Sequence, residues 1–434
     1  VNAPYRTPFR SAPNNPWWIW PLLGRVPDVP AEKIQLLGVI ALALLFESYD
    51  QAMLTAALKQ IAETFAVAES ELGNLLGRIY VGSVPAFLLI PFADRFGRRR
   101  LFLLSLIGLS LATGLSGLAQ SVDQFVALQM VSRTFMVTCA ATAFVIVTEE
   151  FPAAHRGWGI GMLSALATLG YGLGLLAFAA IDVIPFGWRS LYAAGIVPLL
   201  LLPRFRRRIP ETSRFVAQAG RLRGGSPLSG WWQPLGSLAA RHPLRASGVA
   251  TIGLLAAAGH AAGFSFAAFF VQTDHGWSPG RYTAMAVVAG AVGIVGHPWA
   301  GRMADQRGRR GVGFALLSSF PLLALAFYHG PVWVLPVVWI PLIFTMSGGD
   351  TILRAIAAEL FPTSERGTAS GLLQLAEAIG RSGGLFLVAW ATPDGASNTP
   401  MVSLVVFASL AAGLLLLPLP ETGRRELEEI SPEA

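Results

Sequence analysis

The chain has 434 residues, of which 53% are hydrophobic and only 13% charged, with a formal net charge of +7. A soluble domain carries roughly a quarter charged residues, so this composition excludes an ordinary water-soluble globule and points to a membrane protein. The single cysteine, Cys139, excludes an internal disulfide framework and a cysteine metal cluster.

Residues 1–33 form a polar arm with Trp17, Trp18 and Trp20 beside Arg25. Tryptophan favours the headgroup zone, so the arm either lies on a membrane surface or is a disordered tail. The stretch most like a signal peptide begins only near Ile34, so no cleavable leader is expected. A membrane helix needs about 20 mostly apolar residues. Twelve segments qualify: 34–57, 72–93, 101–119, 124–148, 157–181, 187–203, 246–271, 282–300, 312–330, 331–355, 367–391 and 400–419. Six precede a basic loop at 204–245 and six follow it. Trp231 and Trp232 in that loop are expected to dip into lipid. The predicted architecture is an all-α membrane protein of 12 transmembrane helices in two six-helix bundles, 34–203 and 246–419, with a tail at 420–434.

The two bundles repeat one another. Glu149, Pro152, Arg156 and Gly157 recur 210 positions later as Glu359, Pro362, Arg366 and Gly367. The run Asp94, Arg95, Phe96, Gly97, Arg98, Arg99 recurs 211 later as Asp305, Gln306, Arg307, Gly308, Arg309, Arg310. Pro210-Glu211-Thr212 recurs as Pro420-Glu421-Thr422. Matched signatures in one order imply two copies of one membrane half, with a site between them.

Arginine placement sets the predicted orientation. With the N-terminus inside, the inner loops hold nineteen arginines, and the outer loops hold three basic residues, Lys59, Arg189 and Arg281. By the positive-inside rule both termini are cytoplasmic, in a plasma or inner membrane. The positive charge then reports topology, and no nucleic-acid partner is expected.

These motifs resemble the major facilitator superfamily over essentially the whole chain. The loop after helix 2 is similar to that family's G-x-x-x-D-R-x-G-R-R signature through Asp94, Arg95, Gly97, Arg98 and Arg99. Ile90 replaces its leading glycine, which the second copy keeps as Gly301. The E-x-x-P-x-x-x-R-G loops and P-E-T endings resemble the branch of sugar porters, organic-ion carriers and aromatic-acid/proton symporters. The resemblance implies a cofactor-free monomer that moves a small molecule. Asp94, Arg95, Gly97, Arg98, Arg99, Glu149 and Arg156, with their repeats Asp305, Gly308, Arg309, Arg310, Glu359 and Arg366, are read as conformational gates. Such clusters would latch the halves together on the inner side and part when it opens, against a plainer reading as topology anchors.

A charge at mid-bilayer costs at least ~3 kcal/mol, so each one is a functional candidate. Glu47 and Asp50 lie in helix 1, Arg78 in helix 2, Arg133 in helix 4, Asp350 and Arg354 in helix 10, and Glu377 and Arg381 in helix 11. Counting at 1.5 Å per residue puts Asp50, Arg78 and Arg133 at one height, about 24 Å above the inner loops. The resemblance implies Asp50 as proton site with Arg133 as partner, and Glu47 one turn away. A static charge network among Glu47, Asp50, Arg78 and Arg133 is the alternative. Glu377 and Arg381, spaced i,i+4, either satisfy one another or present Arg381 to an anionic substrate. Asp350 and Arg354 have the same spacing and read as a structural pair or inner gate. His260 falls 210 after Asp50, and histidine suits proton handling; hydrogen bonding within the bundle is the plain alternative. Cavity-lining candidates are Tyr49, Tyr80, Gln129 and Tyr171 in the first half, with Phe264, Trp339 and Gln374 in the second. Ordinary packing competes with that reading for each.

No Walker A sequence and no H-E-x-x-H appear, so ATP-driven transport and that metalloprotease class are not supported. Gly170-Tyr171-Gly172-Leu173-Gly174 follows no strand and reads as close helix packing. No metal or cofactor is called for. The predicted function is proton-coupled symport of a small organic solute, an anion favoured, by alternating access. A sugar or polyol porter and an exporter are the alternatives, with a non-transporting membrane sensor more remote.

Overall fold

A backbone in lipid must satisfy its own N–H and C=O groups, so apolar runs of this length fold as helices. The computed structural model of the protein describes residues 28–152, 155–212, 215, 232–362 and 365–422. The side chains of Asp94, Trp232, Gln233, Ile294 and Pro298 lie outside that description. So do Trp17, Trp18, Trp20 and Arg25 of the arm, Arg214, Arg221, Arg223 and Trp231 of the central loop, and the tail beyond 422.

Among the described residues there are twelve spans and no strand. The first six are α1 (Ala31–Ala56, continuing as Leu58–Phe65), α2 (Leu72–Val81, Ala86–Leu89 and Phe92–Phe96), α3 (Arg98–Ser116), α4 (Val122–Glu150), α5 (Arg156–Ala179) and α6 (Trp188–Ala193 and Val197–Arg208). A short helix, Trp232–Arg241, precedes the second six. These are α7 (Pro243–Ser265, continuing as Ala267–Thr273), α8 (Pro279–Arg307), α9 (Arg309–His329), α10 (Val334–Glu359), α11 (Arg366–Ala391) and α12 (Thr399–Val405 and Phe407–Leu416). Ten of the twelve are long and apolar enough to cross a membrane by length and composition, α1 and α6 completing the set. The exterior is apolar, with Leu200 75% and Trp390 85% exposed, the inverse of a soluble surface.

Glycines set the packing within each half, and they repeat. A Cβ on Gly170 of α5 would collide with the Leu45 carbonyl of α1, and one on Gly380 of α11 with the Leu254 carbonyl of α7. One turn on, Gly174 and Gly384 face Ala52 and Ala258 in the same way. Each pair is a small-xxx-small seam that brings two backbones together. The two halves meet through α2 on α11 and α5 on α8, a symmetric pair of contacts.

The repeated loop motifs have a structural cause. Gly97 and Gly308 sit at φ +101° and +96°, where an L side chain is strained. The turns they make aim helix N-termini at the glutamates of the P-E-T endings. Glu211 Oε1 accepts from the Arg99 N–H at 3.1 Å, and Glu421 accepts from the N–H groups of Arg309 at 2.7 Å and Arg310 at 3.2 Å. An anion at a helix N-terminus is favoured by the helix dipole.

Helix 2, expected as one run, is broken. Pro85 and Pro91 precede its later pieces, and proline has no N–H to give. The Gly82 carbonyl at the first break accepts from Thr134 Oγ1 of α4 at 2.6 Å.

The two faces differ. At the face opposite the arginine-rich loops, hydrogen bonds tie the halves together. Glu69 Oε1 accepts from Ser397 Oγ and the Asn398 N–H, each at 2.7 Å. Gln272 accepts from Gln60 at 2.8 Å and donates to the Ala56 carbonyl at 3.2 Å. Thr283 Oγ1 donates to the Leu175 carbonyl at 2.9 Å. At the arginine-rich face the described ion pairs each stay within one half: Arg98–Glu149 at 3.2 Å, Lys33–Glu150, Arg309–Glu359 at 2.6 Å and Arg241–Glu365 at 3.0 Å. None of these described pairs crosses between the halves, whereas hydrogen bonds seal the halves together at the opposite face.

Candidate functional site

Between the halves lies a cavity of about 410 Å³. Ser48, Gln51, Tyr80, Thr168 and Tyr171 line it from the first half. Toward the sealed face its floor is aromatic. Phe264 stacks on Trp339 with centroids 5.8 Å apart and rings 16° from parallel, and Tyr171 reaches across the halves to Phe264 at 6.4 Å. Tyr171 is steadied by Thr55, 3.3 Å from its hydroxyl.

One wall, from the second half, is charged. His260, His297, Asp350, Glu377 and Arg381 all line the cavity. His260 Nδ1 lies 3.3 Å from Asp350 Oδ1, and its Nε2 lies 3.5 Å from Ser409 Oγ. Small residues allow this convergence. A Cβ on Gly259 would meet α12 at Ser409, and one on Gly348 or Gly349 would meet α9 at Leu316 or Leu317. Glu377 Oε2 lies 3.5 Å from Arg354 Nη2 and 3.6 Å from Arg381 Nη2. Asp350 and Arg354, matched by spacing in the sequence, thus turn to different partners on neighbouring helices. Asp350, read from its spacing as a partner of Arg354 in a structural pair or inner gate, lines the cavity instead, and the lining residues Ser48, Gln51 and Thr168 gave no charge signal in the sequence. His297, whose Nδ1 is 2.7 Å from Thr351 Oγ1, also reaches the cavity.

The acid and arginine of the first half lie off the cavity. Asp50 is 3% exposed, accepts from Ser132 Oγ at 3.2 Å, and leaves Oδ1 without a partner. Thr113 lies 2.9 Å from Ser132, and Gln129 donates to Ser116 at 3.0 Å, so a hydroxyl and amide seam runs between α3 and α4. Arg133 makes no ion pair with Asp50 here; its guanidinium stacks 4.4 Å from the Tyr80 ring centroid, behind the cavity wall. Glu47 is half-buried and accepts from Ser48 Oγ at 3.4 Å.

Of the other lining candidates, Tyr49 donates to the Leu191 carbonyl at 3.0 Å, and Gln374 is exposed; neither lines the cavity. Gln129 is spent on Ser116, as above. Arg78 points away, to Asp123 on the first turn of α4 at 2.9 Å, both exposed. Among the gate candidates, Arg156 donates to the Phe151 carbonyl at 3.3 Å, Arg366 Nε is buried without a partner, and Arg309 also reaches Asp305 at 3.4 Å. Arg95 lies 5.7 Å from the Phe96 ring; Asp94 sits in the last piece of α2 with its side chain outside the described residues. Among the described residues no cluster of three or more His, Cys, Asp or Glu is placed to hold a metal ion.

The family model of the Major Facilitator Superfamily matches residues 40–385. The chain belongs to that superfamily. It is therefore a multi-pass membrane protein of a transporter family. Among curated superfamily relatives, the niacin transporter NiaP of Acinetobacter baylyi is 27% identical over 207 residues, 46% of either chain. The gallate transporter of Pseudomonas putida is 26% identical over 192 residues, 44% of this chain and 42% of its own. Both matches thus span less than half of the relative's length. The inward open conformation of the xylose transporter XylE from E. coli has the same fold, with a TM-score of 0.70 at 19% identity, covering 92% of this chain and 99% of that one.

Proposed function

We propose that the protein is a proton-coupled symporter of a small organic anion, working as a monomer by alternating access in a plasma or inner membrane, with both termini cytoplasmic. The observation that carries this reading is the charged wall of the cavity. Arg381 of the cavity lining and Arg354, exposed beside it, converge on the lining carboxylate of Glu377 at 3.6 and 3.5 Å, longer than the 2.7–2.9 Å of a strong charge-assisted hydrogen bond. They retain donors for an incoming carboxylate. The aromatic floor of Tyr171, Phe264 and Trp339 offers flat faces to an unsaturated or ring-bearing body. The relatives named for niacin and gallate carry molecules of that shape, a carboxyl group on a ring.

The arginine-rich face is cytoplasmic on the positive-inside rule. The sealed opposite face then makes this the inward-facing state. Asp50, enclosed away from the cavity beside Ser132, is the proposed proton site, and the gate residues are proposed to re-form across the halves when the inner side closes.

Uptake of labelled niacin, gallate and xylose into proteoliposomes, with and without an inward proton gradient, tests the reading. Gradient-driven uptake of an anion that falls at least tenfold in Arg381→Ala is the expected result, equivalent to about 1.4 kcal/mol of lost stabilisation. Gradient-driven xylose uptake that Arg381→Ala leaves intact would replace the anion with a sugar.

A further inference from the structure

Glu377 holds the place an anion would take. We propose that Glu377 is a tethered competitor for the two arginines, and that its protonation on anion binding makes it a second coupling residue, in the second half. The inference rests on the organic-anion reading above. Its geometry is independent of the Asp50 site.

Glu377 is 5% exposed, and its Oε1 has no hydrogen-bond partner. Its Oε2 alone meets both Arg354 and Arg381, at lengths that satisfy neither. A planar carboxylate from solution can form paired, shorter bonds to a guanidinium. It cannot do so beside an ionised Glu377 without bringing two like charges onto the same cations, which disfavours one of the charged forms. Protonating Glu377 removes the conflict. The neutral carboxyl also becomes a donor, able to hydrogen-bond the anion that displaced it. The balance is one anion and one proton in, with the proton drawn from cavity water onto a Glu377 oxygen.

The groups facing Glu377 support this assignment. On α10, Asp350 and Arg354 are nearest, and Asp350 is engaged by His260 of α7 at 3.3 Å. On its own helix Arg381 is the neighbour. His297 of α8 lines the same wall and is paired with Thr351 of α10 at 2.7 Å. On α2, Arg78 turns to Asp123 and Tyr80 faces Arg133. The segment of α12 packed on α11 has no ionisable side chain, and Arg241 of the short helix pairs with Glu365 at its far end. Glu377 is thus the carboxylate that a substrate anion must displace from Arg381.

The test is equilibrium binding of niacin and gallate to the full chain in nanodiscs, from about pH 6 to about pH 8. One proton taken up per anion gives a slope approaching about tenfold in Kd per pH unit, affinity falling as pH rises. Glu377→Gln should bind with a flat profile, near the wild-type affinity at the acid end. Asp50→Asn should keep the wild-type slope. A Glu377→Gln profile with the wild-type slope overturns the proposal, and so does a slope lost in Asp50→Asn but kept in Glu377→Gln. Proton uptake by the wild-type protein, followed with an indicator dye in weak buffer, needs no variant. About one proton per bound anion at the alkaline end is expected, and none overturns the proposal. Binding of xylose but of neither anion at any pH removes the anion reading itself and this inference with it.

Discussion

Glu69 is the acceptor at the centre of the seal between the halves, so Glu69→Ala should open the sealed face. The substitution removes two hydrogen bonds of 2.7 Å, from Ser397 Oγ and the Asn398 N–H. A hydrogen bond to a charged group contributes about 1.5–3 kcal/mol. Glu69 is half-buried and Ser397 exposed, so solvent screening reduces each to about 1 kcal/mol. The sum, about 2 kcal/mol, shifts a two-state equilibrium roughly thirtyfold toward the state open at that face. Pulsed electron spin distance measurements between labels at Asp182 and Asp394, exposed loop positions on opposite halves, read the shift directly. Cys139 is the chain's single cysteine and is fully buried, so a Cys139→Ala background leaves no competing thiol. The expected result is a second, longer distance population in Glu69→Ala, with a smaller one in Glu69→Gln, whose amide oxygen still accepts. A folded Glu69→Ala protein with the wild-type distance distribution would refute the argument that these bonds hold the face closed.

Two further outcomes follow from the packing. Gly170→Val and Gly380→Val each drive a side chain into a carbonyl of the partner helix, Leu45 or Leu254. Each should cost about 1–3 kcal/mol or more by overpacking, read as a lowered melting temperature in detergent, whereas Gly172→Ala, with open space at its Cβ, should not. Arg78→Gln should leave the rate of anion uptake within about twofold, because an exposed pair with Asp123 contributes about 0–1 kcal/mol; a tenfold loss would return Arg78 to the transport path.

The repeat made the fold legible. Offsets of 210 and 211 in the loops correspond in space to matched turns at Gly97 and Gly308 and to matched seams at Gly170 and Gly380. The partners of charged residues were less legible, for a geometric reason. Counting along a helix gives height but not direction. Arg78 was assigned the height of Arg133, yet it faces outward to Asp123, on a helix whose non-helical breaks before Pro85 and Pro91 also distort the count. The i,i+4 rule identified Glu377–Arg381, whose partners share a helix, and failed for Asp350, whose partner His260 comes from a different helix. Such partners are fixed by how close neighbouring helices come, and the glycines that permit that approach carry no charge signal of their own.

The two copies have diverged in where they put ionisable groups. Asp50 and His260 occupy equivalent positions, 210 apart, yet Asp50 is enclosed between α1, α3 and α4 while His260 reaches the cavity beside Asp350. The seams at Gly170 and Gly174 bind α1 to α5 along the cavity side. On the proposed mechanism, Asp50 therefore gains access to water through movement of α1 and α5 as a packed pair, whereas Glu377 and Asp350 already line the cavity in this state. The second half would then respond to substrate, and the first half to the change of conformation. Neither event alone would complete transport, which is the condition for coupling the two rather than leaking either.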